Sequence, residues 1–177
     1  MNDAHFEMLC ANMEVDSSIA RFEQPKPYAS LEIDGIQIAI LGLVEANESR
    51  TGELLPGAHP DRLKGIRFQS PIKSALEYRH LRKECDLFLA LTHIGHDYEL
   101  KLAKAMPELD VIIGGHPHVV QPVDLLTSTK DASHKTVCLY SMGNAVSNQR
   151  LGNLESISTA HTEDGILFTV TFEKYSD

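Results

Sequence analysis

The sequence has no tryptophan, few aromatic residues and three cysteines, and each shortage narrows the class of protein. Aromatic residues make up 6% of the 177 residues, so the core must be built mainly from Leu, Ile, Val and Ala, as is typical of α/β proteins. Cys10, Cys85 and Cys138 are odd in number and include no C-x-x-C pair. This excludes a disulfide scaffold and favours three small buried hydrophobic residues.

Long hydrophobic runs and clusters of positive charge are also missing. No stretch reaches the roughly 18 apolar residues of a membrane span, and the first residues lack the pattern of a secretory signal. The formal net charge is -9, and no group of Lys and Arg could follow a nucleic-acid backbone. We therefore expect no membrane span and no nucleic-acid partner. An acidic chain can still bind an anionic small molecule where bound cations supply the positive charge.

What the chain does contain is an alternation of predicted strands and helices, with 42% apolar residues. Residues 28–33 alternate and residues 36–44 are almost entirely apolar, which predicts two strands, the second buried on both faces. Asp34-Gly35 between them fits a type I′ hairpin turn. The pattern also predicts strands at residues 6–13, 87–92, 109–113, 136–140 and 166–172, an extended segment at 119–126, and helices at 71–83 and 98–106.

Polar residues end two of these strands. His93 to Asp97 follows one buried strand, and Gly114 to His118 follows the next, with a helix between them. In a βαβ unit both tips lie at the carboxyl ends of parallel strands, where open α/β sheets bind their ligands. The histidines of the two tips should therefore converge. The polar connection 45–65 is long and is a candidate rim of the same site.

Histidine in this arrangement indicates a metal site. Neutral imidazole binds divalent transition metals, and His93, His116 and His118 would be aimed from rigid strand ends. In an extended segment His116 and His118 would point to one side, and Pro117 between them would stiffen the tip. Set against this, a single histidine at a strand end is more often a surface or hydrogen-bonded residue.

Two further polar residues, His96 and Asp97, could orient a ligand imidazole through its second nitrogen. An equally simple interpretation is that both are solvated loop residues. The sequence leaves these alternatives open.

At this point the chain resembles a known family. Leu91-Thr-His-Ile-Gly95 and Asp110-Val-Ile-Ile-Gly-Gly-His-Pro-His118 are similar to the last two metal-binding motifs of the calcineurin-like metallophosphoesterases, specifically the bacterial 5′-nucleotidase and UDP-sugar hydrolase group. Leu9 to Asn12, Tyr28, Ile33 to Leu43 and Phe68 to Ile72 follow the family's order, so the resemblance covers residues 6–125.

The resemblance implies a four-layer α/β/β/α sandwich with mixed sheets and a metal-dependent phosphoric-ester hydrolase that acts on nucleotides or nucleotide sugars. It implies two divalent ions, such as Mn, Zn or Mg, with His93 and His116 on one and His118 on the other. It also implies a periplasmic or exported protein. Paired cations would activate a water and hold the phosphoryl oxygens of the substrate.

The family's earlier motifs, including its catalytic Asn-His, do not occur in the sequence. Gly143-Asn144 and Gly152-Asn153 lack the histidine and follow the ligand cluster instead of preceding it. We therefore expect residues 1–177 to be the C-terminal half of the catalytic domain, with no catalytic residue of its own and the N-terminal half as its partner. Such a half could expose apolar surface and be inactive alone.

A second resemblance offers an alternative function. His116 to Pro122 and Leu139 to Gln149 are similar to the end of the capsule-synthesis (poly-γ-glutamate) proteins, which share the metallophosphoesterase architecture. The alternative is a CapA-like capsule or poly-γ-glutamate synthesis factor that retains the metal ligands. For Gly143-Asn144 we expect a turn in which the Asn side chain bonds its own backbone.

Overall fold

The computed structural model describes residues 6–20, 22–58, 60–144 and 160–173 of the chain. Its elements, in chain order, are β1 (Met13–Val15), β2 (Tyr28–Ile33), β3 (Ile36–Val44), β4 (Asn47–Glu48), β5 (Leu54–Leu55), β6 (Ile66–Phe68), α1 (Pro71–Glu77), β7 (Leu87–His93), α2 (His96–Ala105), β8 (Val111–Gly114), β9 (Val123–Thr127) and β10 (Lys135–Leu139). Short 3-10 helices span Pro60–Arg62, Arg79–Lys83 and Ala160–Glu163. The predicted α/β class is confirmed.

Six strands form one mixed sheet in the order β2-β3-β7-β8-β10-β9. The four inner strands run parallel, and the edge strands β2 and β9 are antiparallel to their neighbours. β7, α2 and β8 therefore form the predicted βαβ unit. Its geometry brings the carboxyl ends of β7 and β8 side by side.

The predicted hairpin joins the first two strands of this sheet. Ile33 pairs with Ile36, and Asp34 and Gly35 between them have φ of 51° and 77°. Positive φ at both central residues is the requirement of a type I′ turn, so the Asp-Gly prediction is confirmed. The turn sets the register in which β2 pairs with β3.

The core lies between the sheet and the two helices. α1 and α2 contact each other as well as the sheet, so both pack against the same face. Leu41 and Phe88 from the sheet and Leu102 and Met106 from the α2 region are fully buried there. Complete burial of such side chains contributes about 1.5–3 kcal/mol each, which makes this layer the main source of stability.

The opposite face of the sheet is apolar as well. Successive strand residues point to opposite faces, and the pairing register aligns the residues that point away from the helices: Leu31, Ile38, Ile40, Leu89, Leu91, Ile113 and Val137. Leu31 and Leu91 are 44% and 48% exposed. A sheet with apolar residues on both faces is typical of an inner layer of an α/β protein.

Helix boundaries agree closely with the sequence prediction. The Ser70 hydroxyl accepts a hydrogen bond from the Lys73 amide (3.5 Å), and Pro71 is the first helical residue of α1. The predicted helix 71–83 is an α-helix only to Glu77 and continues as a 3-10 helix. α2 begins at His96, earlier than predicted, because His96 and Asp97 belong to its first turn.

Two predicted strands at the ends of the chain are wrong. In the segment 6–13, Phe6 and Met8 are exposed, Leu9 forms a single bridge with Lys26, and the strand begins only at Met13. Residues 166–172 form no strand within the described chain; the Ile166 amide donates one hydrogen bond to the Met142 carbonyl oxygen (3.0 Å). Gly165 forms one bridge with Gly143.

Other expectations are met in part. Cys10 and Cys138 are buried and Cys85 is partly buried, all as free thiols. The predicted polar connection 45–65 contains the short strands β4 and β5. Gly152-Asn153 lies outside the described residues. Within the described ranges, no helix is long and apolar enough to cross a membrane.

Candidate functional site

His93 ends β7 and is aligned with Val44 at the end of β3. Its neighbour Thr92 is buried and bonds to α2, so His93, one residue later, points to the opposite, open face of the sheet. The Glu45 amide donates a hydrogen bond to the His93 carbonyl oxygen (2.9 Å). This bond fixes the strand end that carries the ring.

His116 and His118 lie in a tight turn after β8. The His118 amide donates to the Gly115 carbonyl oxygen (3.1 Å), the His116-Pro117 peptide bond is cis, and His118 has a φ of 70°. This is the geometry of a type VI turn. The expectation of an extended segment with both rings on one side is therefore wrong; the turn, and not strand alternation, sets their positions.

The three predicted ligand histidines nevertheless converge. The ring centre of His93 is 5.2 Å from that of His116 and 4.9 Å from that of His118, and the last two are 6.4 Å apart. A side chain at Gly115 would lie 3.1 Å from the His93 Nδ1 atom, and one at Gly95 would lie 3.2 Å from the His116 ring. Glycine at these two positions leaves the space that the rings occupy.

The environment favours neutral imidazole at the centre of this cluster. Burial lowers the pKa of His93, and charge on His118 and His116 lowers it further, while Glu45 opposes both effects. Neutral imidazole is the form that binds metal ions. Glu45 was missed by the sequence prediction, although it directly follows β3 at the same edge of the sheet and the strand-end rule could have identified it.

Asn144 is a second residue that the sequence prediction misjudged. Its Oδ1 atom lies 2.9 Å from the Nδ1 atom of His118, and its Nδ2 atom donates to the His118 carbonyl oxygen (3.1 Å). The sequence prediction named only a local turn, whereas the Asn144 side chain contacts His118. The long sequence separation explains why no local pattern revealed this contact.

His96 and Asp97 lie beside the cluster, in the first turn of α2. His96 packs on Tyr140 with ring centres 4.2 Å apart, and its Nδ1 atom lies 3.2 Å from the Asp97 carboxylate. The side chain of Asp97 is 87% exposed. These contacts join the two residues to each other and to Tyr140, so their role in orienting a ligand imidazole stays a prediction.

A buried carboxyl group lies on the helix side of the same strand ends. Glu99 of α2 is fully buried; its Oε1 atom accepts a hydrogen bond from the Thr92 hydroxyl (2.8 Å), and its Oε2 atom is buried without a partner. Burial raises the pKa of Glu99 to about 7, against the opposing effects of Thr92 and His96. The sequence signal was weak, since Glu99 stands among the charged residues of an amphipathic helix.

The candidate metal ligands among the described residues are the three imidazoles. Three imidazoles converge, yet among residues 6–20, 22–58, 60–144 and 160–173 no three His, Cys, Asp or Glu side chains are arranged to hold one ion by themselves. In a centre with two ions, this chain could supply two ligands to one ion and one ligand to the other. Such a centre would need no group of three side chains around a single ion. The nitrogen donors suit first-row divalent metals.

The fold is shared with solved nucleotidases. The crystal structure of a 5′-nucleotidase precursor from Thermus thermophilus aligns over 79% of this chain and 29% of its own, with a TM-score of 0.61 and 23% identity. The curated protein YfkN of Bacillus subtilis, a trifunctional nucleotide phosphoesterase, is 36% identical over 53% of this chain and 6% of its own length.

A third relative is the PGA biosynthesis protein CapA of Bacillus subtilis, which is 27% identical over 84% of this chain and 38% of its own length. The chain thus spans well under half of each of these proteins. The sequence model of the family described as "Bacterial capsule synthesis protein PGA_cap" matches residues 18–149. The chain belongs to this family, so both resemblances seen in the sequence, to nucleotidases and to CapA proteins, are confirmed.

Proposed function

We propose that this chain is part of a metal-dependent phosphoric-ester hydrolase whose substrate is a nucleotide or a nucleotide sugar. The observation that carries the proposal is the convergence of the His93, His116 and His118 rings at the carboxyl ends of two parallel strands. Relatives named as nucleotide phosphoesterase and 5′-nucleotidase support the choice of reaction.

The three histidines would serve as the chain's share of a centre with two divalent ions. His93 and His116 are assigned to one ion and His118 to the other. Such ions, when bound, activate a water molecule and neutralise the charge of the phosphoryl oxygens. This chemistry would let a chain with a net charge of -9 attract an anion.

Neighbouring residues of this chain hold His93, His116 and His118 in place. The Gly115–His118 turn fixes the spacing of the His116 and His118 rings. The hydrogen bond from the Glu45 amide fixes the end of β7, which carries His93. A side chain at Gly95 or Gly115 would crowd the His116 or the His93 ring, so glycine at both positions leaves room for them. A constellation of this kind loses little entropy when it binds an ion, because its rotamers are already restricted.

We further propose that another part of the same domain packs on the open apolar face of the sheet and completes the site. His93 points to that face, where Leu31 and Leu91 are half exposed. The other metal ligands and the catalytic Asn-His would then come from this second layer, and the chain would form a partial site alone.

The test is phosphate release by the protein expressed at the full length that its gene encodes. Nucleoside 5′-monophosphates and nucleotide sugars would be supplied with Mn²⁺, Zn²⁺ or Mg²⁺. We expect hydrolysis that His116→Ala lowers by at least about a hundredfold. His80→Ala is the matched control, because His80 is exposed and contacts only nearby residues, the Glu77 carbonyl oxygen and the Tyr78 ring, among the described part of the chain. Equal activity of the two variants would refute the proposal.

A second candidate function is a capsule or poly-γ-glutamate synthesis factor that binds metal without hydrolysing phosphate esters. The match to the capsule synthesis family over residues 18–149 and the long alignment with CapA favour it. Metal binding that depends on His116, together with no phosphate release from any tested ester, would support this candidate against the first.

A further inference from the structure

We propose that Asn144 is a positioning residue that holds the His118 imidazole with its proton on Nδ1 and so leaves Nε2 as the nitrogen that can bind a cation. The proposal deepens the proposed function, because it assigns a residue that prepares one of the three histidines. Its basis is the pair of contacts between the Asn144 amide and both the ring and the backbone of His118.

The orientation of the Asn144 amide follows from the backbone contact. The His118 carbonyl oxygen can only accept a hydrogen bond, so the amide group that faces it at 3.1 Å must be the donor Nδ2. Oδ1 then faces the His118 ring at 2.9 Å. A flipped amide would set two oxygen atoms against each other.

The same contact fixes the proton of the ring. An amide oxygen accepts hydrogen bonds and donates none, so Nδ1 of His118 must carry the hydrogen in this pair. In a neutral imidazole the other nitrogen then has the free lone pair. Nε2 is therefore the only atom of this ring that can bind a metal ion while the contact with Asn144 persists.

The backbone around Asn144 is held independently of His118. Asn144 follows β10, whose end lies beside that of β8 in the parallel sheet. The Ile166 amide donates to the Met142 carbonyl oxygen (3.0 Å), and Gly143 forms a bridge with Gly165. The position of Asn144 is thus set by the sheet and by the segment after Glu163, so it can act as a fixed reference for the ring.

This arrangement matches the way that metal-binding histidines are usually supported. Their second nitrogen commonly donates to an oxygen atom that fixes the tautomer and the ring orientation, and loss of that oxygen costs about 10- to 100-fold in metal affinity. Asn144 provides a neutral oxygen for this purpose. A further strand end, that of β10, therefore contributes to the site.

The test is a two-bond ¹H-¹⁵N NMR spectrum of the histidine rings in the 177-residue chain without metal, at pH 8.5. We expect His118, identified by its absence in His118→Gln, to carry its proton on Nδ1. His134 is an internal control of opposite tautomer, because its Nε2 atom faces the Leu109 carbonyl oxygen at 3.0 Å. Asn144→Leu should shift the His118 tautomer ratio by about fivefold and leave His134 unchanged.

Asn144→Asp keeps an oxygen atom opposite Nδ1 and should retain the tautomer, but its second oxygen replaces the donor to the His118 carbonyl, so this variant should be less stable than wild type. In the full-length protein, the Mn²⁺ dissociation constant of Asn144→Leu should rise about 10- to 100-fold. A wild-type His118 with its proton on Nε2, or an unchanged tautomer in a folded Asn144→Leu variant, would overturn the proposal. Absence of Mn²⁺ binding by the full-length wild-type protein would count against the proposed function, whereas the tautomer tests the role of Asn144 alone.

Discussion

Replacing Glu99 with glutamine should remove a pH-dependent loss of stability from the fold. The Glu99 carboxyl group is fully buried and accepts a hydrogen bond from the Thr92 hydroxyl. Burial raises its pKa from an ordinary value of 4.5 to about 7. In the unfolded chain the group ionises near 4.5, so between these two values the folded state holds more protons than the unfolded state.

The sign and size of the effect follow from this difference. Where the folded state binds more protons, stability falls as pH rises, so the cost develops between pH 4.5 and about 7 and is constant above that. A rise in pKa from 4.5 to about 7 corresponds to about 3 kcal/mol. The stability of Glu99→Gln relative to wild type should therefore improve by about that amount between pH 4.5 and pH 8.

The assay is urea unfolding followed by far-UV circular dichroism at several pH values, since the chain has no tryptophan to report by fluorescence. Glu108→Gln is a control of opposite sign. Partial burial raises the pKa of Glu108, but hydrogen bonds from Arg79 and Lys130 and the charge of Arg79 hold it below its ordinary value. That variant should lose stability at neutral pH and approach wild type in acid. Parallel pH curves for Glu99→Gln and wild type would refute the reasoning.

Other substitutions probe the supports of the site by the same unfolding assay. Asn12→Ala should cost about 2–4 kcal/mol, because the buried Asn12 side chain bonds the amide and carbonyl of Val44 and the carbonyl of Gln69; a loss below about 1 kcal/mol would contradict this. Gly114→Ala should cost at least about 1–3 kcal/mol, because its Cβ would overlap the Tyr140 carbonyl and the Glu99 carboxylate. Gly57→Ala, whose Cβ would meet only the Glu45 carboxylate at 3.4 Å, should change stability by less than about 0.5 kcal/mol. Thr92→Val should cost about 1–3 kcal/mol by removing the hydroxyl that Glu99 accepts from, and equal stability would show that this bond contributes nothing.

Local patterns were sufficient to predict the frame of the fold. The Asp34-Gly35 turn, the Ser70-Pro71 helix start and the apolar strands each depend on residues close in sequence. The βαβ unit followed from them, and it led to the convergence of His93 with the Gly114–His118 tip. Physical preferences of neighbouring residues decide these features, so a single sequence contains enough information for them.

Features that depend on distant contacts could not be predicted in the same way. The segment 166–172 alternates like a strand, but its pairing depends on which sheet edges are free. The bond between Asn144 and His118 joins residues that are 26 positions apart. The buried state of Glu99 depends on its packing against Thr92 and Gly114, although its helix position beside the buried Leu102 and Ala103 was a usable signal.

The turn at His116-Pro117-His118 is the most instructive error. Both histidines were correctly placed at the strand end, but the extended geometry that was expected to aim them is replaced by a turn with a cis peptide bond. The candidate site survives because the turn still brings both rings close to His93. The residue types were sufficient to predict the candidate site, whereas the predicted backbone conformation was wrong.

Binding of Mn²⁺ to the protein at the full length that its gene encodes, measured by isothermal titration calorimetry at pH 7.5, tests the central claim most directly. If His93, His116 and His118 are metal ligands, wild type should bind the ion, and His116→Ala should weaken binding by at least about tenfold. His80→Ala should bind as wild type does. Equal Mn²⁺ affinity in wild type and His116→Ala would contradict the account.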